Sequence, residues 1–242
     1  ESGGVTVDNT SAENHCTIIA IGPSALDENL IYVGTDDGNI QVTRDGGKNW
    51  ELISKNIPDV PAGTWVSRVT PSRFDRNVVY ATFDNHAYGD MKTYVAKSSD
   101  GGKTWVNINK DNVLQGYAHV IVEDLENREL LFLGTEFGLY ISTDSGKSWV
   151  LYKSRLPEYV AVRDIVIQPK TNDLVLGTHG RGIFIIDDIS PLRRLTAEVL
   201  QKDAALLPTR PTAVSSGHYG SSFPSTDSYG GPNAPEIATV QY

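Results

Sequence analysis

The chain has 242 residues, with 21 basic and 30 acidic side chains, a formal net charge of −9 and 39% hydrophobic residues. Nucleic acids and anionic membrane surfaces attract clustered Lys and Arg, and the sequence contains no such cluster, so neither is an expected partner. No apolar run approaches the roughly 20 residues of a membrane-spanning helix, and membrane insertion is not expected. The single cysteine, Cys16, excludes an intrachain disulfide framework.

From residue 17 onward, short runs rich in β-branched and aromatic residues follow one another, as is typical of β-strands. They fall into three sets of four and a last set of three. The predicted strands are residues 17–21, 30–35, 39–43 and 50–53; 67–71, 78–83, 93–98 and 105–108; 119–124, 130–135, 138–142 and 149–152; and 162–169, 173–178 and 182–187. Four antiparallel strands in about 44 residues are typical of one blade of a β-propeller. We therefore predict an all-β chain with four blades.

Three of the sets contain nearly the same eight letters, here called the box turns: TRDGGKNW at 43–50, SSDGGKTW at 98–105 and STDSGKSW at 142–149. Each stands between the third and fourth strands of a blade, where its glycines suit a turn with positive φ. The aspartate can accept hydrogen bonds from the turn, and the tryptophan can fold back over it and bury its ring. Because a catalyst rarely needs the same acid in consecutive blades, a structural role is favoured over a catalytic one. The residues assigned to this role are Asp45, Trp50, Asp100, Trp105, Asp144 and Trp149.

The fourth set differs, because Asp188 occupies the aspartate position but neither the Gly-x-x-Trp nor a fourth strand follows. We therefore predict that the blades, assigned to residues 1–190, belong to a larger ring completed by the same or another chain. A short helical segment is predicted at 191–210, because Pro191 suits a first helical turn and Ser190 and Thr196 can act as caps. A Ser/Gly/Pro-rich linker at 211–235 and the start of a further β domain at 236–242 are expected after it.

Consecutive connections in an up-and-down blade lie at opposite ends of its strands. The box turns share one end, the box face, with the turns between first and second strands. The connections between second and third strands share the other end, the loop face, with the links between blades. Its polar residues, predicted to bind a ligand, are Asp36, Asp37, Asp84, His86, Glu136, His179 and Arg181. Together with Trp65, Tyr117 and Tyr159 from the links, they suit a glycan or protein ligand, although loops are commonly polar without any such role.

The pattern S/T-x-D-x-G-x-x-W resembles the Asp-box of the bacterial neuraminidase repeat, found in sialidases, xyloglucanases and sortilin-type propellers. The resemblance extends over residues 16–190. Residues 2–18, 33–50 and 174–193 are more particularly similar to large bacterial propeller proteins labelled as glycosyl hydrolases with such repeats. This resemblance implies a ring of about six to eight blades, followed by a β-sandwich-like domain. A secreted, periplasmic or cell-surface location is expected.

Two functions stay open, and so does the question whether the chain is an enzyme. One is a binding module that holds a glycan or protein on the loop face, as sortilin-type propellers do. The other is the C-terminal part of a xyloglucanase-like glycoside hydrolase that acts on polysaccharide. The five histidines lack metal-ligand spacing, so no metal or other cofactor is expected.

The hydrolase alternative depends on one loop. In xyloglucanases the catalytic aspartate lies in a Thr-Asp-x-Gly-Gly loop at this blade position, which Thr35, Asp36 and Gly38 resemble, although Asn39 replaces the second glycine. The resemblance makes Asp36 the candidate catalytic acid. Glycosidases need two carboxyl groups, and in that family the second comes from another propeller. Arg68 and Arg163 make no convincing sialidase arginine triad.

Overall fold

The computed structural model describes residues 16–55, 57–110 and 113–211. The predicted β segment at 236–242, and all of the predicted linker beyond residue 211, lie outside these ranges. The described residues form three antiparallel sheets of four strands and one of three, each with its strands in chain order. The prediction of four propeller blades is therefore confirmed. None of the helices in this part of the chain is long and apolar enough to cross a membrane.

Each blade is a simple antiparallel meander, in which strands that are consecutive in the chain pair with each other. Blade 1 contains β1 (Ile18–Pro23), β2 (Ile31–Thr35), β3 (Ile40–Thr43) and β4 (Glu51–Leu52). Blade 2 contains β5 (Trp65–Pro71), β6 (Val79–Asp84), β7 (Tyr94–Ser98) and β8 (Val106–Asn107). Blade 3 contains β9 (Ala118–Glu123), β10 (Leu131–Thr135), β11 (Gly138–Ser142) and β12 (Val150–Leu151). Blade 4 contains β13 (Val162–Gln168), β14 (Asp173–Thr178) and β15 (Ile183–Ile186).

The two ends of the strands form the box face and the loop face. On the box face, the turn after the third strand donates a backbone N–H to the turn after the first strand in every blade. These bonds are Gly46 to Asn29, Gly101 to Asn77, Ser145 to Glu129 and Ile189 to Asn172, at 2.7–3.0 Å. On the loop face, the residue after the second strand bonds to the residues before the first strand. These bonds are Asp36 to Thr17, Glu136 to Tyr117 and His179 to Ala161, at 3.0–3.1 Å.

The hydrophobic core consists of three layers, each between two consecutive blades. Between blades 1 and 2, for example, Tyr32 and Ile40 pack in one cluster with Val66, Val69 and Phe83. Burial of such side chains is the main favourable contribution to folding, at about 25 cal/mol for each Å² of apolar surface. Each blade is therefore stabilised mainly by its neighbours rather than by itself.

The arc of blades leaves an apolar surface at each end. Ile18 and Ile21 of β1 are 54% and 65% exposed, whereas Val66 and Val69, at the same register positions of β5, are buried. At the other end Ile183 is 73% exposed, whereas its counterparts in the other three blades are buried. We call these the leading face (Ile18, Ile21, Trp50 and Leu52) and the trailing face (Val166, Ile183 and Ile185). Among the described residues, no blade covers either face.

Blade 4 ends differently from the others. After β15 the chain forms a 3₁₀ turn (Ser190–Arg194) and then α1 (Ala197–Leu200), whose N-cap Thr196 accepts a hydrogen bond from the Val199 N–H at 3.4 Å. Ser190, expected to be a cap, is instead the first residue of the 3₁₀ turn, because Asp188 already accepts the backbone N–H of Ser190 at 3.2 Å. Asp188 also accepts the Arg210 N–H at 2.7 Å. The segment after α1 thus returns to the place where the other blades have a box turn.

Candidate functional site

The box turns are held together from within. In each, the first Ser or Thr hydroxyl accepts the N–H of the last glycine, at 2.8 Å in all three (Thr43 and Gly47, Ser98 and Gly102, Ser142 and Gly146). The aspartate accepts that hydroxyl and the backbone N–H four residues after it. These carboxylate bonds are 2.8–2.9 Å long in all three turns. Bonds from Asn49 and Thr104 lower the pKa of Asp45 and of Asp100 to about 2. All three carboxylates are therefore occupied by their own turns.

Two of the three box tryptophans contact the preceding blade. Trp105 and Trp149 are 5% and 7% exposed. Their Nε1 atoms donate to the backbone oxygens of Ile53 and Ile108, at 2.9 and 3.0 Å. We expected each tryptophan to fold back over its own turn. This expectation is corrected, because both rings pack between blades. For Trp50 the expectation of burial is wrong: this ring is 43% exposed, since no described blade precedes it.

Blade 4 uses a different side chain at this junction. Arg193 stands five residues after Asp188, where the other blades have tryptophan. Its guanidinium donates to both oxygens of Asp124 at 2.8 and 3.1 Å and contacts Glu126 at 2.7 Å. The Asp124 side chain is fully buried and that of Arg193 is 7% exposed. A bidentate buried pair of this kind is strongly directional. It therefore joins blade 4 to blade 3, whereas a tryptophan indole joins blade 2 to blade 1 and blade 3 to blade 2.

On the loop face, a histidine and a tyrosine from consecutive blades stack on each other. The rings of His86 and Tyr117 lie 4.6 Å apart with 17° between their planes, and the Trp65 ring meets His86 edge-on at 6.2 Å. Asp84 holds His86 in place, because its Oδ1 lies 2.6 Å from Nδ1 and accepts the His86 backbone N–H at 3.0 Å. The His86 side chain is 42% exposed, so one stacked ring is open to solvent.

The stack continues into a second charged group. Tyr117 meets the ring of His119 edge-on at 4.8 Å, and His119 Nε2 lies 3.0 Å from Oε2 of Glu136. The Arg163 guanidinium lies 3.6 Å from the same oxygen. We call this set the loop-face cluster: Trp65, Asp84, His86, Tyr117, His119, Glu136 and Arg163. It spans blades 2, 3 and 4.

The protonation states in the cluster follow from burial and hydrogen bonding. Burial lowers the pKa of His119, although the bond to Glu136 acts in the opposite direction. Burial, together with the hydrogen bond to Glu136, raises the pKa of Tyr117 to about 12. Burial would raise the pKa of Glu136, but bonds from His119 and Tyr117 and the nearby Arg163 charge outweigh it, so the pKa lies below its usual value. At neutral pH the cluster therefore presents an ionised carboxylate beside a neutral imidazole.

A groove of about 250 Å³ lies next to this cluster, between the β10–β11 connection and the link from blade 3 to blade 4. Its rim carries Phe137, the residue after Glu136, and Tyr159, whose rings meet edge-on at 5.9 Å. Tyr159 is 75% exposed and has a positive φ of 54°. The loop face thus offers aromatic rings at two neighbouring places.

The structure brings together only part of the predicted ligand-binding set. Asp84, His86 and Glu136 join the cluster, whereas Asp36, Asp37, His179 and Arg181 do not contact it by hydrogen bond or ion pair. Asp36 Oδ1 accepts the backbone N–H groups of Cys16 and Thr17, both at 2.8 Å. Asp37 bonds the Thr35 hydroxyl and the Asn39 side chain within its own turn. His179 and Arg181 are exposed at the end of the arc.

Sequence reasoning missed His119 and gave Arg163 no ligand-binding role. Both occupy the same register position of the first strand, together with Ser67 and Ile19, at a bulge in the pairing with the second strand. The bulge interrupts the alternation of strand residues and turns these side chains to the loop face. Aligning the four first strands shows polar residues at this position in blades 2 to 4, which is the signal that could have identified them.

Within the described residues, no three His, Cys, Asp or Glu side chains are grouped as they would be around a metal ion. The contacts within the cluster are hydrogen bonds, ion pairs and ring stacking. Of its members, the His86 ring is exposed and the Glu136 carboxylate is half-buried.

Comparison with solved structures supports the fold. The chain is similar to a Niastella koreensis GH74 enzyme (TM-score 0.54, 14% identity, 70% of this chain and 28% of that one). It is also similar to the GH74 xyloglucanase of Xanthomonas campestris (0.52, 15%, 71% and 28%) and to YCF48 bound to a D1 peptide (0.50, 21%, 67% and 48%). The chain thus spans less than half the length of these proteins, and the likeness is one of β-propeller architecture. No protein-family model matches the chain, and no curated protein matches it.

Proposed function

We propose that the chain is a binding module that holds a glycan on its loop face, at the loop-face cluster and the adjacent groove. The observation that carries this proposal is the open stack of His86 on Tyr117 beside the ionised Glu136. The apolar face of a sugar ring packs on an aromatic ring, while its hydroxyl groups donate to a carboxylate. Phe137, the residue after Glu136, and Tyr159 provide a second pair of rings on the same face.

Binding is favoured over hydrolysis by the state of the carboxylates. A glycosidase needs a protonated general acid, whose pKa is raised by its surroundings. The pKa of Glu136 is shifted in the opposite direction, and Asp84 is bonded to His86. The cluster is therefore suited to accept hydrogen bonds and not to deliver a proton.

The alternative is the xyloglucanase-like hydrolase, with Asp36 as its acid. Its support is the resemblance of the Thr35–Gly38 loop and the shared architecture with two GH74 proteins. The Oδ1 atom of Asp36 already accepts two backbone N–H groups, those of Cys16 and Thr17. These contacts make Asp36 a weaker candidate than the binding cluster.

Calorimetry with soluble xyloglucan and cello-oligosaccharides tests the proposal. We expect His86→Ala to weaken glycan binding by about two- to tenfold, because loss of a stacked ring costs about 0.5–1.5 kcal/mol. The matched control is His179→Ala, which removes an exposed histidine from the same face but outside the cluster, and should bind as the wild type does. An equal loss of affinity in both variants, or no binding of any glycan by the wild-type protein, would contradict the proposal.

The same purified protein also serves to test two other functions, peptide binding and glycoside hydrolysis. One similar structure holds a peptide, so a peptide library is screened in parallel, and retention of peptide but not glycan would assign the face to a protein ligand. Release of reducing ends from xyloglucan, abolished by Asp36→Asn with binding kept, would establish the hydrolase instead.

We also propose that further blades, of the same or another chain, cover the leading and trailing faces, and that the protein works outside the cytoplasm. Exposed sheet edges and large apolar side chains favour association. The 242-residue chain should therefore self-associate or bind additional blades in sedimentation experiments. A monodisperse monomer at high concentration would contradict ring completion.

A further inference from the structure

A cavity of about 610 Å³ opens on the box face, away from the loop-face cluster. It lies between the β9–β10 turn of blade 3, the β13–β14 turn of blade 4 and the segment that follows β15. Phe74 of blade 2, which is 36% exposed, stands at its side. A volume of this order suits a small molecule, since such pockets measure roughly 300–1,000 Å³.

The walls of the cavity are basic, although the whole chain is acidic. Five of the lining residues are Arg or Lys and one is acidic, Glu126. Two of the cations are already paired. Arg193 is held by Asp124 and Glu126, and Arg210 donates to Asp173 at 2.8 Å and to the Thr171 carbonyl oxygen at 3.1 Å.

The other three cations are available. Lys170 and Arg194 are exposed and take part in no ion pair among the described residues. Arg128 has only a long contact of 3.9 Å with Asp75, and its side chain is 58% exposed. Lys170 and Arg194, together with the weakly paired Arg128, therefore place positive charge around one concave surface, which favours a bound anion.

The frame around these cations is held by hydrogen bonds and ion pairs. The buried Arg193–Asp124 pair holds the segment after β15 against blade 3, and the Asn127 side chain donates to the Arg193 carbonyl oxygen at 3.2 Å. Arg210 ties the returning segment to blade 4 through Asp188, Asp173 and Thr171. The cavity is thus built by contacts that do not use Lys170, Arg194 or Arg128.

We propose that this cavity binds a small organic oxyanion, such as a sugar acid or a sugar phosphate. Its carboxylate or phosphate would lie among Arg128, Lys170 and Arg194, and its apolar side would rest on Phe74. Guanidinium groups hold both kinds of oxyanion through paired hydrogen bonds. This site is independent of the glycan-binding proposal, because it uses the opposite face and other residues.

The test is calorimetry at low salt with four ligands: glucuronate, glucose 6-phosphate, inorganic phosphate and glucose. We expect saturable binding of one or both sugar anions, weaker binding of inorganic phosphate and none of glucose. The difference between glucuronate and glucose 6-phosphate identifies the preferred oxyanion. Absence of saturable binding by either sugar anion, or equal binding of glucose, would overturn the proposal.

Variants locate the binding. Replacement of Lys170 and Arg194 together (Lys170→Gln with Arg194→Gln) should weaken binding of the sugar anion by about tenfold or more. The matched control is Lys48→Gln with Lys103→Gln, which changes the net charge equally on the same face but away from the cavity, and should keep wild-type affinity. All four side chains are exposed, so both variants should melt at the wild-type temperature. An equal loss of affinity in the control variant would show that the overall net charge, and not this cavity, determines binding, and would refute the site.

Discussion

The box turns of blades 1 and 2 share their internal hydrogen bonds but differ in their surroundings. In both, a hydroxyl accepts the glycine N–H at 2.8 Å, and the aspartate pKa is about 2. Trp50 is nevertheless 43% exposed and Trp105 only 5% exposed. The comparison shows that the eight letters determine the turn by themselves, whereas the environment of the tryptophan depends on having a preceding blade.

The junction between blades 3 and 4 extends this comparison. Here the tryptophan position holds Arg193, and blade 3 supplies the buried Asp124 as its partner. At each junction, the residue five positions after the aspartate therefore contacts the preceding blade. Its contacting group is an indole in blades 2 and 3 and a guanidinium in blade 4. The chemistry can change as long as the neighbour provides the matching acceptor.

Replacement of the tryptophans should separate the two roles most strongly. We expect Trp105→Ala to reduce the free energy of unfolding by about 3–5 kcal/mol, because it removes a large buried side chain and leaves a cavity. In the dilute 242-residue chain, with no further blade on the leading face, Trp50→Ala should cost about 1 kcal/mol or less. Urea denaturation of both variants measures the difference. Equal costs would mean that Trp50 is covered in solution, for instance by another blade.

The last glycine of the box should show a smaller difference. Gly47 and Gly102 both have a φ of 94°, so alanine would strain the backbone equally, by about 1–2 kcal/mol. A Cβ at Gly102 would lie 2.3 Å from Ile53 Cδ1 of blade 1, whereas a Cβ at Gly47 would meet nothing within 4 Å. Gly102→Ala should therefore cost about 1–3 kcal/mol more than Gly47→Ala. Similar melting temperatures for the two variants would argue against close packing at this junction.

The aspartates of the first two box turns, Asp45 and Asp100, should show the smallest difference, since their bonds are local. Their folded pKa of about 2 lies below the value of about 3.9 for an unpaired aspartate. The unfolded chain therefore binds more protons between these values. The stabilisation is complete above about pH 4 and is lost as the pH falls towards 2. Asp45→Asn and Asp100→Asn should each flatten this acid limb to the same extent.

Thermal melts of both variants and the wild type between pH 2 and 5 measure this effect. A clearly larger change for Asp100→Asn would show that its carboxylate also serves the contact between blades.

Much of the fold follows from the sequence, because strands and turns are local features. The repeated runs predicted all the strands of the described part of the chain, and the glycines of TRDGGKNW predicted the turn with positive φ at Gly46 and Gly47. The exposure of Trp50 was not predictable in this way, because it depends on what packs beside the blade and not on the eight letters.

The candidate site was predicted only in part. Alternation of connections placed Asp84, His86 and Glu136 on one face, and the structure joins them in one cluster. Backbone amides hold Asp36, and Thr35 and Asn39 hold Asp37, which side-chain identity alone does not reveal. His119 faces the cluster because of a bulge, and bulges interrupt the alternation on which strand predictions depend.

The layered core has a consequence for cooperativity. Each hydrophobic cluster joins two consecutive blades, so blades 2 and 3 are held on both sides and blades 1 and 4 on one. Arrays of this kind open by fraying from the ends, because their stability is nearly a sum of nearest-neighbour terms. Blade 4 is further tied by the buried Arg193–Asp124 pair and by an ion pair of 2.8 Å between Arg68 and Asp164. Fraying should therefore begin at blade 1, where amide hydrogens of β1–β4 exchange first. The strands of blade 3, which is held on both sides and joined to blade 4 by Arg193, should be the last to exchange.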